Sequence, residues 1–177
     1  MMDEPSESPY RHARRAFIAA CEHAHLDTVA RLHPAKSPDG KPLFMDCAAL
    51  GPRDAAKAVL VVARGASGSA ILVALLEGEL TPPPGARLVL VHALDPAEFA
   101  GVTGDPANNP EWPAAMLKAE VTEDLRKVRA RAVLPLEEGS DLKPVLAAQL
   151  PEAKITALPV AANAGSARDI IAAFFAQ

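Results

Sequence analysis

Between two apolar runs, Ala58–Ala63 and Ala70–Leu76, the chain reads Arg64-Gly65-Ala66-Ser67-Gly68-Ser69, small residues and hydroxyls beside one cation. Such a loop, set between the end of a strand and the start of a helix, turns backbone N–H groups toward one point where the helix dipole favours negative charge. Arg64, Gly65, Ser67, Gly68 and Ser69 are therefore candidates for holding a small anion, with a plain serine-capped turn as the alternative. The glycines do not make the G-x-G-x-x-G dinucleotide pattern, and no P-loop lysine follows. The same loop departs from the G-x-S-x-G nucleophile elbow only at Ser69. A serine hydrolase also needs a histidine base and an acid, in the order Ser, acid, His. His92 is the one histidine after Ser67, and no acid stands suitably between them. His92 joins the candidates on that ground, against the plainer reading of a core or rim histidine satisfied locally. Cys21 and His25, four apart on a helical pattern, could chelate a metal, but no second ligand pair accompanies them.

The elements that must position these residues follow from pattern. Ser8 and Pro9 read as the N-cap and first position of a helix. Tyr10, Ala13, Phe17, Cys21 and Ala24 form its apolar face, and it is expected to end near Asp27. Val29–Leu32 and Leu43–Leu50 read as strands joined across Ser37-Pro38-Asp39-Gly40, where proline fixes one φ and glycine supplies another. The run Ala58–Ala63 and Arg87–Ala93 read as strands buried on both faces, with a helix over Ala70–Leu80 between them. Asp95–Pro113 is expected as loop, with Trp112 packed at the start of a long helix whose face runs Leu117, Val121, Leu125, Val128 and Ala132. The basic residues Arg126, Lys127, Arg129 and Arg131 are expected to form its solvated C-terminal end. Asp141–Leu150 reads as a further helix, Lys154–Leu158 as a strand, and Ser166 as the cap of a last helix docked through Ile170, Ile171, Phe174 and Phe175.

With 177 residues, half of them apolar, the chain suits one domain, residues 9–177, behind a disordered tail of residues 1–8. A net charge of -4 and a pI of 5.7 argue against nucleic acid or an anionic membrane as partner. Two cysteines without a C-x-x-C pair suit a reducing compartment. With no signal-like N-terminus and no apolar run near the roughly 20 residues that span a bilayer, a cytoplasmic protein is expected.

Taken in order, Ser37-Pro38-Asp39-Gly40-Lys41-Pro42-Leu43, Leu50-Gly51-Pro52, Val59–Ala63, Ser69-Ala70 and Val91-His92-Ala93-Leu94-Asp95-Pro96 with Phe99-Ala100 resemble a bacterial family of uncharacterised proteins. That family is related to the zinc carboxypeptidases and to the succinylglutamate desuccinylase and aspartoacylase deacylases. The resemblance covers about residues 10–102. It implies an α/β fold of three layers with a mostly parallel central sheet, a reduced zinc-carboxypeptidase-like fold.

In the family the loop after the first buried strand has the form Gly-Thr-His-Gly-x-Glu-Gly, whose His and Glu bind zinc. The loop Gly65-Ala66-Ser67-Gly68-Ser69 carries neither. The Asn-Arg-Asn-like element that binds substrate carboxylate is represented only by Asn108-Asn109, without arginine, and no histidine follows His92 to serve as third ligand. The family's catalytic glutamate belongs to a C-terminal portion for which too few residues are expected here. The resemblance thus implies a non-catalytic relative with no metal or other cofactor, binding a small anion or a protein partner. The alternative is a hydrolase of amide or ester bonds, metallocarboxypeptidase-like or using Ser67 or His92. A decayed gene product without selected activity is a third reading.

Overall fold

In a computed structural model, which describes residues 7–124, 130–137 and 155–177, the first helix, α1 (Pro9–His23), starts as its sequence dictates. The Ser8 side chain accepts the Arg11 N–H, and Pro9 stands where its missing N–H costs nothing. The helix stops at His23, four residues before the expected Asp27. His25 takes a left-handed φ of 56°, and Leu26 N–H reaches back to Cys21 O while His25 N–H reaches Glu22 O. This double closure satisfies the last carbonyls and redirects the chain, with histidine where glycine is usual.

Strands β1 (Thr28–Lys36) and β2 (Pro42–Leu50) pair antiparallel across the expected turn, in which Gly40 has a φ of 77°. Next come β3 (Lys57–Val62), α2 (Ala66–Glu77) and β4 (Ala86–His92), with β3 and β4 parallel. Helix α2 begins four residues earlier than the expected Ala70, so Ser67 and Gly68 lie within its first turn and Ser69 at the start of its second. The segment read as loop after Asp95 contains a short helix, α3 (Pro96–Phe99), capped by the Asp95 side chain.

Helix α4 (Trp112–Asp124) is shorter than expected, and strand β5 (Ala130–Pro135) follows where the helical spacing had been extended to Ala132. The reason is tertiary: Ala-Arg-Ala-Val-Leu-Pro pairs in parallel along β3, and that ladder outweighs local periodicity. Arg131 is accordingly a strand residue; Arg126, Lys127 and Arg129 lie outside the described residues, as does the helix read at Asp141–Leu150. Strand β6 (Ile155–Ala157) closes the sheet, and α5 (Ala164–Phe175) completes the described elements. The cap of α5 is Asn163, with Ser166 the reciprocal member of a capping box.

The six-stranded sheet has the order β1-β2-β4-β3-β5-β6; β1/β2 and β2/β4 are antiparallel, and the other pairings are parallel. Alternation along β3 separates two cores. Val59 and Val61 pack with Phe17 and Cys21 of α1, Leu72 and Leu75 of α2, and Ile171 and Phe174 of α5. Ala58, Leu60 and Val62 face Trp112 and Leu117 of α4. Helices thus cover both faces, which is the three-layer α/β arrangement with a mostly parallel centre. Among the described residues, no helix is long and apolar enough to cross a membrane.

Candidate functional site

The loop after β3 holds an anion supplied by the chain itself. Leu136 N–H bonds Val62 O and extends the β5 edge by one step, which delivers the next side chain, Glu137, to the start of α2. One carboxylate oxygen, Oε2, accepts the N–H groups of Arg64 at 2.6 Å and Gly65 at 2.9 Å. The other, Oε1, accepts Gly65 N–H at 2.7 Å and Gly68 N–H at 2.9 Å, and the Ser67 hydroxyl donates to it at 3.3 Å. The first N–H groups of a helix have no partner within it, and the dipole adds positive potential there. Glu137 answers both, although α2 has no acidic residue in its own first turn and its N-cap, Gly65, has no side chain to cap with. Gly68 is required for this approach, since a Cβ there would stand 2.8 Å from the Glu137 carboxyl carbon.

Arg64 does not point into the cradle. Its guanidinium pairs with Glu98 of α3, which leaves its backbone N–H as its contribution to the cradle. Ser69 lies one turn in, buried, beside a groove of about 460 Å³ between α1 and α2, and its hydroxyl has no hydrogen-bond partner among the described residues. The structure therefore brings Arg64, Gly65, Ser67 and Gly68 together around Glu137 and sets Ser69 behind them.

His92 belongs to a different cluster. At the end of β4 it sits in register with Asp46 of β2, fully buried, its ring stacked on Phe17 at 4.9 Å between centroids. Its Nδ1 is 3.8 Å from Asp46 Oδ2, too long for a hydrogen bond. Asp46 is held by a bidentate fork from Arg14 of α1, at 2.7 and 2.9 Å, and that guanidinium lies over the Phe44 ring. Burial pushes the Asp46 carboxyl up, but His92 and Arg14 together outweigh it and hold the group below its ordinary value. No hydrogen bond joins either nitrogen of His92 to Ser67 or Ser69, so the nucleophile–base contact of a serine hydrolase is not formed.

Zinc, which the resemblance raises, requires three or more side-chain donors converging on one point. Among the described residues no group of three His, Cys, Asp or Glu does so. Glu137 is engaged by N–H donors, which compete for the lone pairs a cation would need. Cys21 and His25 do not form a pair: Cys21 is buried in α1 with its thiol pushed by burial to about 12, and His25 lies in the turn beyond the helix. Asn108 and Asn109 stand in a turn before α4, where the Asn109 side chain accepts the Glu111 N–H. Trp112, as expected, packs at the start of α4, edge-on to His33.

Sequence reasoning missed three residues here. Asp46 carries a signal, a lone carboxylate inside the apolar run Leu43–Leu50, which implies a buried partner. Arg14 was readable only once Asp46 was noticed. Glu137 lies 69 to 73 residues from the groups it bonds, and nothing local announces its role.

Several solved structures align with parts of this chain. Glutaminyl cyclase from Porphyromonas gingivalis aligns at a TM-score of 0.45 with 14% identity, covering 73% of this chain and 51% of its own. Glutaminyl cyclase from Macrostomum lignano aligns at 0.46 with 14% identity over 89% of this chain and 65% of its own. Naproxen esterase from Bacillus subtilis aligns at 0.46 with 13% identity over 86% and 50%. The chain thus spans about half to two thirds of the length of these structures. No curated protein matches its sequence. Residues 7–108, more than half of the chain, match a family described as a protein of unknown function, DUF2817, and the chain belongs to that family.

Proposed function

We propose that this chain is a non-catalytic relative of the zinc carboxypeptidase and deacylase-like proteins it resembles, and that it acts by binding a small carboxylate or phosphate at the start of α2. The observation that carries this reading is the seating of Glu137. A cradle that accepts a carboxylate through backbone N–H groups is selective for charge and shape rather than for the molecule behind them. Glu137 is then a resident competitor, and an external anion enters as it leaves.

The test is thermal unfolding of the wild type and Glu137→Ala in succinate and in inorganic phosphate. The variant should gain several degrees over its anion-free state, following ligand linkage, and the wild type distinctly less. If neither protein responds to either anion, the binding reading is wrong. Stoichiometric zinc in the purified protein, with turnover of acyl-amino-acid substrates, would overturn the non-catalytic part. The hydrolase alternative requires Ser67 and a base in contact, and the burial of His92 against Phe17 weighs against it.

A further inference from the structure

Strand β1 is one edge of the sheet, and its two halves differ. The second half carries the usual guards against strand addition: Pro34, a register irregularity between Leu32 and Lys36, and Lys36 itself. Thr28–Leu32 has neither proline nor irregularity, and its one charged side chain, Arg31, is turned to Glu120. Instead it presents Val29 at 53% and Leu32 at 60% exposure, the two most exposed large apolar side chains among the described residues. They lie on opposite faces of the sheet, since Val29 pairs with Cys47 and Leu32 with Phe44, three positions apart. A ligand or helix resting on one face could cover only one of them. A strand added at the edge reaches both.

We infer that this edge pairs with the same edge of a second copy, antiparallel, about a two-fold axis through Val29. Such an axis stands perpendicular to the sheet, keeps like faces together and continues the sheet from one copy into the next. Val29 then meets Val29 of the second copy, Thr28 meets Ala30, and Leu32 comes beside Leu26, in the lead-in to the strand, whose own N–H is bonded to Cys21 O. Asp27, which has no ion pair within the described residues, comes opposite Arg31 of the second copy, and the same pair recurs across the axis. Arg31 is already steadied by Glu120. Moving the axis to Ala30 sets Arg31 against Val29 and loses the charge match. Moving it to Arg31 sets like charges face to face, which is unfavourable.

Sedimentation of the full chain from about 1 to about 200 µM, a range suited to a small interface, should show the mass doubling with concentration. Val29→Lys places two lysines at the axis and should remain monomeric throughout, with melting unchanged because the side chain is exposed. Under mild oxidation Val29→Cys should cross-link two copies, whereas Leu32→Cys should not, its symmetry mate lying about 20 Å away along the strand. The native thiols Cys21 and Cys47 are buried and give no background. A wild type that stays monomeric at the highest concentration overturns the inference, including the case in which the edge serves a strand from another protein. Cross-linking of Leu32→Cys as fast as Val29→Cys overturns the register. Neither outcome depends on the cradle at α2.

Discussion

Asp46 and Glu137 are both carboxylates held by several donors, and they are held by opposite means. Asp46 is fully buried in the sheet and answered by side chains, the Arg14 fork and the nearby imidazole of His92. Glu137 sits half-buried just past the end of β5 and is answered by main-chain N–H groups of three residues and, at longer range, by the Ser67 hydroxyl. A charge matched by another side chain is part of the packing: neither partner can leave without stranding the other. A charge matched by backbone amides can leave, because the amides keep their geometry and can turn to water or to another anion. The first arrangement fastens α1 to the sheet, and the second makes a site.

The comparison predicts unequal costs. Arg14→Met leaves Asp46 buried without its fork, and breaking a buried pair in this way costs about 3 kcal/mol or more. The cation over Phe44 is lost as well, about 0.5 kcal/mol at a partly exposed position. Urea unfolding of Arg14→Met against the double variant Arg14→Met/Asp46→Leu separates stranding from packing. The double variant should regain most of the loss, since replacing both partners by apolar groups is often neutral. Equal loss in both variants would mean that the pair contributes shape rather than charge.

Acid should report the same difference. The carboxyl of Asp46 lies below its ordinary value in the fold, burial raising it and His92 with Arg14 lowering it further. A group depressed in the folded state adds stability that is complete above its unfolded value, about 3.9, and lost as pH falls through the folded value. Wild-type stability should therefore fall away below about pH 4. In Arg14→Met the carboxyl loses one of the two groups that lower it, so its folded value moves up toward the unfolded one and the loss below about pH 4 should be smaller than in the wild type. Unfolding midpoints in urea across the acid range would show the difference.

The two carboxylates also mark what the sequence could and could not disclose. The turn at Ser37–Gly40 and strands β3 and β4 were readable because turn chemistry and continuous apolar runs are local properties. Strand β5 was not, because Leu117, Val121, Leu125, Val128 and Ala132 keep a helical spacing into it, and only the ladder along β3 decides the matter. The loop at Arg64–Ser69 could be read as suited to an anion from its composition. That the anion comes from Glu137 depends on how β5 registers against β3, which places Pro135 beside Val62 and so carries Glu137 past the strand end to α2. Helix α2 starts at Ala66 for the same reason: a distant carboxylate satisfies N–H groups that its glycines and serines leave uncapped.

Glu137→Gln sharpens the comparison from the other side. The amide keeps the shape but turns one acceptor oxygen into a donor facing backbone N–H groups, at a cost of about 1–3 kcal/mol. Unlike the loss in Arg14→Met, this one should be partly restored by phosphate, because the vacated dipole remains. Thermal unfolding with and without phosphate measures both effects, and a loss that phosphate leaves untouched would make Glu137 a packing group like Asp46.

The smallest expected effect separates backbone from side chain within the cradle itself. The Ser67 hydroxyl is 3.3 Å from Glu137, a longer contact than the amide N–H bonds beside it, and Ser67 is exposed. Water can replace it, so Ser67→Ala should cost no more than about 0.5 kcal/mol, the range of ordinary surface changes. Alanine is also the better helix former at a position in the first turn, which offsets part of that. The anion response of Glu137→Ala should survive when Ser67→Ala is added, since the amides of Arg64, Gly65 and Gly68 do the holding. If the response instead disappears with the hydroxyl, the site belongs to its side chains after all, and its difference from the Arg14–Asp46 pair becomes one of degree.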